Sequence, residues 1–207
     1  MLKIGLTGSI GMGKTETGKI FSELGFPLYD ADAAVHKLYG PGQKGSEKIK
    51  EKFPNSINPD GSVNRESLSA EVLADPEKIK SLESIIHPLV GEDREVFFKK
   101  NAKAKAIVLD IPLLFETGGE KYVDVSVVVT ATAKTQMDRV VTQRKIPLDV
   151  FKSIQGQQMP DQEKLKKADY IISTECDISD TEKEVRDVVS KIKLIQPKAW
   201  SKFHSSS

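Results

Sequence analysis

Gly8-Ser9-Ile10-Gly11-Met12-Gly13-Lys14-Thr15 places four residues between Gly8 and Gly13 and follows the second with lysine and threonine. That spacing suits one chemistry, a grip on the β and γ phosphates of a nucleoside triphosphate. Glycines here let successive backbone N–H groups converge on an anion, where a side chain would block the approach. Lys14 is expected to span the β and γ phosphates and the Thr15 hydroxyl to ligate Mg²⁺. The ATP-contacting set is then Gly8, Gly11, Met12, Gly13, Lys14, Thr15 and Glu16. A tight turn that holds no nucleotide is the plain alternative.

Carboxylates and arginines with matching tasks follow. Asp30 and Asp32 stand where a second strand ends, and in open parallel sheets ligands bind at that edge. A carboxylate beside the γ-phosphate could orient or deprotonate an attacking hydroxyl; the other reading for Asp30 is a helix cap or turn. Asp110 closes the apolar run Ala106-Ile107-Val108-Leu109 and could hold Mg²⁺ through water, or cap a helix starting at Pro112. Arg139 and Arg144 flank a polar segment that could act as a lid over the transferring phosphate, or they could be solvated surface charge. His87, before Pro88 in an apolar helical pattern, reads first as structural.

The elements that must position these groups alternate between strand and helix. Residues 2–7 read as a short apolar strand, 15–24 as a helix with Ile20, Phe21 and Leu24 on one face, and 25–29 as a second strand. Residues 33–101 are mainly helical in spacing, with turns at Pro41-Gly42, Pro54-Asn55, Pro59-Asp60-Gly61 and Asp75-Pro76. Residues 106–110 and 124–130 are continuous apolar runs, as strands buried on both faces require. A helix over 134–141, a short strand over 170–172 and an amphipathic helix over 181–195 with Val185, Val188, Val189 and Ile192 inward complete the pattern. The tail 196–207 is expected to be frayed. The order predicts an α/β fold with a five-stranded parallel sheet between helical layers. A nucleotide core of residues 1–32, 102–138 and 168–207 is expected, with a helical substrate region at 33–101 and a small lid at 139–167.

Composition narrows the partners. The chain has 207 residues, with 31 Lys and Arg against 30 Asp and Glu, a net charge of +1. That balance supports neither nucleic acid nor an anionic membrane as the main partner. The single cysteine, Cys176, excludes a disulfide framework within the chain and reads as a small, semi-buried residue. No apolar run nears the ~18 residues of a membrane span, and the first strand starts at once, so a cytoplasmic location is expected. A guanine-reading Asn-Lys-x-Asp segment is absent, which weighs against a switch GTPase. The residues themselves leave three readings open: a kinase with a bulky hydroxyl acceptor, another small-metabolite or nucleoside monophosphate kinase, and a nucleotide-dependent regulatory module.

With these residues assembled, the chain resembles the dephospho-coenzyme A kinase family. The resemblance rests on Gly5 to Lys14, on Asp30-Ala31-Asp32 with His36, and on Asp60-Gly61 with Arg65. It continues through Leu82 with His87-Pro88-Leu89-Val90, then Pro112-Leu113-Leu114-Phe115-Glu116, then Gln158-Met159 with Lys164 and Ala168-Asp169. It implies a P-loop kinase-type fold and transfer of the ATP γ-phosphate to the ribose 3′-hydroxyl of dephospho-coenzyme A, the last step of coenzyme A synthesis. It implies Asp32 as the catalytic aspartate, acting with Lys14 and Arg139. It also implies that Arg65, His87, Leu113, Leu114, Phe115 and Glu116 serve the coenzyme side. A monomer and a homotrimer are both compatible with it. One departure is visible: relatives often carry a second lid arginine four residues after the first, where this chain has Gln143 and then Arg144.

Overall fold

The computed structural model describes residues 1–73 and 75–198; most of the tail expected to be frayed, residues 199–207, lies outside them. Two compact units emerge, one from Met1–Tyr29 with the chain from Lys103 onward, the other from Asp30–Ala102.

The first unit carries the sheet. Five strands, β1 (Leu2–Thr7), β2 (Leu28–Asp30), β3 (Ala106–Asp110), β4 (Val125–Thr130) and β5 (Tyr170–Ser173), lie in the order β2-β3-β1-β4-β5. β1 pairs in parallel with β3 and β4, and β4 with β5. Helices supply the crossovers that parallel pairing needs, giving an α/β/α arrangement. Alternation along the strands turns Leu2, Ile4, Leu6, Val108, Val127 and Val129 to one face. Helices α1 (Lys14–Glu23) and α9 (Ile178–Ile192) cover that face with Ile20, Phe21, Val185, Val188, Val189 and Ile192. Phe21 is fully buried and meets Phe26 edge-on at 6.0 Å, a burial that contributes roughly 1.5–3 kcal/mol. Gly5 opens the opposite face to Leu114 and Val123, whose side-chain atoms would lie 3.0–3.1 Å from any added Cβ.

Several elements depart from the sequence reading. The last helix starts at Ile178, earlier than the apolar pattern begins, because the Asp177 carboxylate caps it by accepting from the Asp180 N–H at 3.0 Å. Residues 112–118 form consecutive turns and no helix starts at Pro112; the Pro112 carbonyl accepts from the Thr7 hydroxyl. The described end of the tail is tied down, since the Lys198 N–H donates to Asp124 Oδ1 at 2.7 Å. The helix expected over 134–141 is α6 (Ala133–Met137) running into a wide π turn, Asp138–Gln143. After it come α7 (Leu148–Gln157) and α8 (Asp161–Lys167).

The second unit is helical: α2 (Ala31–Leu38), α3 (Lys44–Lys52), α4 (Arg65–Leu73) and α5 (Pro76–Lys100). Ile49, Phe53, Val63, Leu68, Val72 and Ile86 make its core. The Asp60-Gly61 turn, with Gly61 at φ 85°, joins the Ile57–Val63 bridge that leads into α4. Among the described residues, no helix is long and apolar enough to cross a membrane.

Candidate active site

β1 is the central strand, so the loop that follows it leaves from the middle of the sheet's carboxyl edge. Gly11 and Gly13 have φ of 78° and 91°, values that side chains with a Cβ rarely adopt. Space is closed as well: a Cβ on Gly8 would lie 2.7 Å from the Val129 carbonyl oxygen, and one on Gly13 would lie 2.8 Å from Thr174 Oγ1. The loop ends in the first turn of α1, whose N-terminus adds partial positive charge. The backbone of this loop is therefore shaped as an anion cradle whose size suits phosphate groups.

Lys14 reaches from the start of α1 to the carboxylate of Asp110 and forms an ion pair with it. The β1–β3 register explains the meeting, because Asp110 sits opposite Leu6, one residue before the end of β1. Asp110 is buried and Thr15 exposed. One hydroxyl and one carboxylate suit Mg²⁺, which takes its other ligands from phosphates and water.

Arg139 lies in the π turn and donates to Thr174 Oγ1 at 2.8 Å, to the Thr174 carbonyl, and to the Gly11 carbonyl at 3.4 Å. Thr174 is buried, and its own hydroxyl donates a hydrogen bond to the Met12 carbonyl at 2.9 Å. The end of β5 thus clasps the phosphate loop, a role that sequence reading missed. No local signal marks Thr174, since its partner is 162 positions away. Gln136 was missed for the same reason, and Gln158 stood in the sequence only as part of a family motif without a role: Gln136 Nε2 donates to the Ile10 carbonyl at 2.8 Å, and Gln158 Oε1 accepts the Ile10 N–H at 3.0 Å.

Beside the loop lies a cavity of about 310 Å³ lined by Gly11, Gly13, Arg139, Arg144, Thr174 and Cys176. A π turn lies under the arginine departure. The Arg144 N–H bonds the Arg139 carbonyl five residues back, so Arg144 stands one wide turn from Arg139, where an α turn would have brought residue 143. Gln143 turns to Asp138 at 2.8 Å. Cys176 is exposed and not semi-buried, because it follows β5 in the loop before α9. Glu175 next to it accepts from the Thr132 N–H and the Thr135 hydroxyl, which hold its carboxyl below the ordinary range with help from the Arg139 charge.

A family model, CoaE: Dephospho-CoA kinase, matches residues 2–180. The chain belongs to the dephospho-CoA kinase family. It is 44% identical over 191 residues to the dephospho-CoA kinase of Bradyrhizobium diazoefficiens, covering 91% of this chain and 94% of the relative. A crystal structure from Thermus thermophilus is 28% identical with a TM-score of 0.80, covering 92% of this chain and 97% of that one. A dephospho-CoA kinase structure from Campylobacter jejuni is 25% identical with a TM-score of 0.62, covering 92% and 96%. The chain is a kinase, and the switch and regulatory readings fall away.

The remaining sequence-predicted residues divide between the two units. In the first, Leu114 and Phe115 are buried and Leu113 is exposed. Glu116 forms an ion pair with Lys164 at 2.9 Å and accepts the Met159 N–H at 2.8 Å. In the second unit, Asp30 Oδ1 accepts the Ala33 N–H at 2.9 Å and caps α2. Asp32 and His36 lie four residues apart on one exposed face of α2, and Arg65 Nη1 meets His36 Nε2 at 3.0 Å. Burial pushes the Tyr39 hydroxyl up, against the opposing charge of Arg65. His87 is exposed on α5, one residue before Pro88.

The Glu116 pair makes a pH prediction. Burial is the largest single influence and raises its carboxyl, but the Lys164 ammonium and the Met159 N–H together outweigh it, so the net shift is below 4.5. A lowered folded value means that the stabilisation is present above the unfolded value and is lost as pH falls through the folded one. Stability of the wild type is therefore expected to fall below about pH 4.5 more steeply than that of Glu116→Gln. Urea unfolding at a series of acidic pH values measures both slopes, and parallel curves would contradict the assignment.

Proposed function

We propose that this chain transfers the γ-phosphate of ATP to the ribose 3′-hydroxyl of dephospho-coenzyme A, completing coenzyme A. The observation that carries the reading is the family match from residue 2 to residue 180, which spans the phosphate cradle, the helical unit, Asp110 and both arginines.

The backbone N–H groups of Gly8 to Thr15 grip the β and γ phosphates, and Lys14 spans them, exchanging Asp110 for phosphate oxygens. The Thr15 hydroxyl and, through water, Asp110 would hold Mg²⁺, which would supply charge neutralisation for those phosphates. Arg139 covers the transferring group while its carbonyl contacts hold it against the loop. Arg144, with Glu16 on α1, faces the nucleotide in the cavity beside the loop. Asp32 orients the acceptor hydroxyl and takes its proton. Arg65 and His87 in the helical unit, and the Leu113–Glu116 segment after β3, serve the coenzyme. Within that segment Leu113 is the exposed member, while Leu114 and Phe115 support it from the core.

The decisive experiment compares ADP release with dephospho-coenzyme A, AMP, adenosine and no acceptor, side by side. Fast release with dephospho-coenzyme A alone, together with coenzyme A as product, is expected. Equal rates with and without that acceptor would sink the reading, and faster release with AMP would transfer it to the nucleoside monophosphate kinases.

A further inference from the structure

α8 buries the wrong residue for its composition. Among Lys164, Leu165, Lys166 and Lys167, the leucine is half-buried and the last two lysines are exposed, yet Lys164 has no exposed surface at all. A lysine on a short surface helix ordinarily runs its stem along apolar surface and keeps its ammonium in water. Burying that ammonium is costly unless a partner with good geometry offsets it. Here the ammonium has one ion-pair partner, Glu116 Oε1 at 2.9 Å, and among the described residues no acceptor meets it with hydrogen-bond geometry. The same oxygen accepts the Met159 N–H at 2.8 Å. One residue earlier, Gln158 places its side-chain carbonyl on the Ile10 N–H at 3.0 Å, in the middle of the phosphate loop. Asp161 accepts from the Thr130 hydroxyl at 2.6 Å and pins the start of α8 to the end of β4. The run 158–164 is therefore fixed to the ends of β3 and β4 and to the loop after β1.

We propose that Lys164 is a positioning residue for phosphoryl transfer: through Glu116 it fixes Met159, and with it the Gln158 side chain that holds Ile10 of the phosphate loop. A loose pair at Glu116 lets the backbone at 159 drift, the Ile10 N–H loses its acceptor, and the loop no longer presents the γ-phosphate in line with the acceptor. A displacement on the order of 1 Å in such a site costs up to about 100-fold in rate. The kinetic part of this proposal rests on the kinase reading above; the structural link to Ile10 does not.

The test uses the full chain as Lys164→Met, Lys164→Arg, Gln158→Ala and the Lys164→Met/Gln158→Ala double variant. Turnover, KM for ATP and for dephospho-coenzyme A, thermal midpoint and the hydrogen-exchange rate of the Ile10 amide are measured for each. Lys164→Met and Gln158→Ala are each expected to lower kcat by roughly 10- to 100-fold with much smaller changes in KM. Both should speed exchange at Ile10. The double variant should be no slower than the worse single one, since both cut the same chain, and Lys164→Arg should recover part of the Ile10 protection. Unchanged kcat in Gln158→Ala, unaltered Ile10 exchange in Lys164→Met, or losses that multiply in the double variant would each overturn the proposal. Should Lys164→Met fail to fold, Lys164→Met/Glu116→Gln takes its place, because it strands no buried charge, and unaltered Ile10 exchange there would overturn the proposal. If the wild type does not phosphorylate dephospho-coenzyme A, exchange at Ile10 still tests the link, so the two failures are distinguishable.

Discussion

Asp32→Ala is expected to cut turnover by at least ~100-fold, the lower range for loss of a general base, while ATP affinity changes little. The structure separates the two aspartates that the sequence sets side by side. Asp30 is committed to capping α2 through the Ala33 N–H, whereas Asp32 stands exposed in the first turn of that helix, on the face that carries His36. Asp30→Ala therefore makes an internal control. It should lose about 0.5–2 kcal/mol of stability, as a missing N-cap does, with a far smaller effect on turnover. Steady-state kinetics with calorimetric ATP binding on both variants separates the roles. Near-normal turnover in Asp32→Ala would remove that residue from the chemistry.

Lys14→Met is expected to lower turnover by about 10²–10³-fold, the magnitude seen when one preorganised donor to developing charge is removed. ATP binding should weaken with it, because the lysine serves ground state and transition state alike. A second consequence follows from the pairing with Asp110. That carboxylate is nearly buried, and deleting Lys14 removes one of its partners, with a cost of up to about 3 kcal/mol in a site that solvent partly reaches. Adding Asp110→Asn to Lys14→Met should recover part of that stability and none of the turnover. Thermal melts and initial rates on the single and double variants measure both effects. A recovery of rate together with stability would show that Lys14 acts only as a structural counter-ion.

Legibility in the sequence followed the range of the interactions involved. The phosphate loop could be read because its function depends on the φ angles of Gly11 and Gly13, which are properties of consecutive residues. The core face of α9 could be read because Val185, Val188, Val189 and Ile192 repeat at helical spacing and are all buried. Strand β4 could be read because its valines, broken only by Ser126, match a strand covered on both faces. Leu113-Leu114-Phe115 shows where such reading stops: an apolar run announces burial but not which member faces outward, and the turns after β3 decided that for Leu113. The Gln143–Arg144 departure was visible in the sequence, but the π turn beneath it was not, because its five-residue hydrogen bond leaves no local signature.

By itself, the sequence determined the anion cradle, the alternation of strands and helices, and the family, because each rests on spacing along the chain. Tertiary structure alone decided who meets whom around that cradle. Asp110 finds Lys14 because β3 lies beside β1 in register. Thr174 holds Met12 and takes Arg139 because β5 ends next to the loop, and the buried Lys164 joins Glu116 to the segment that carries Gln158. Those partners are far apart in the chain, and only the spatial order β2-β3-β1-β4-β5 brings their ends to one edge of the sheet.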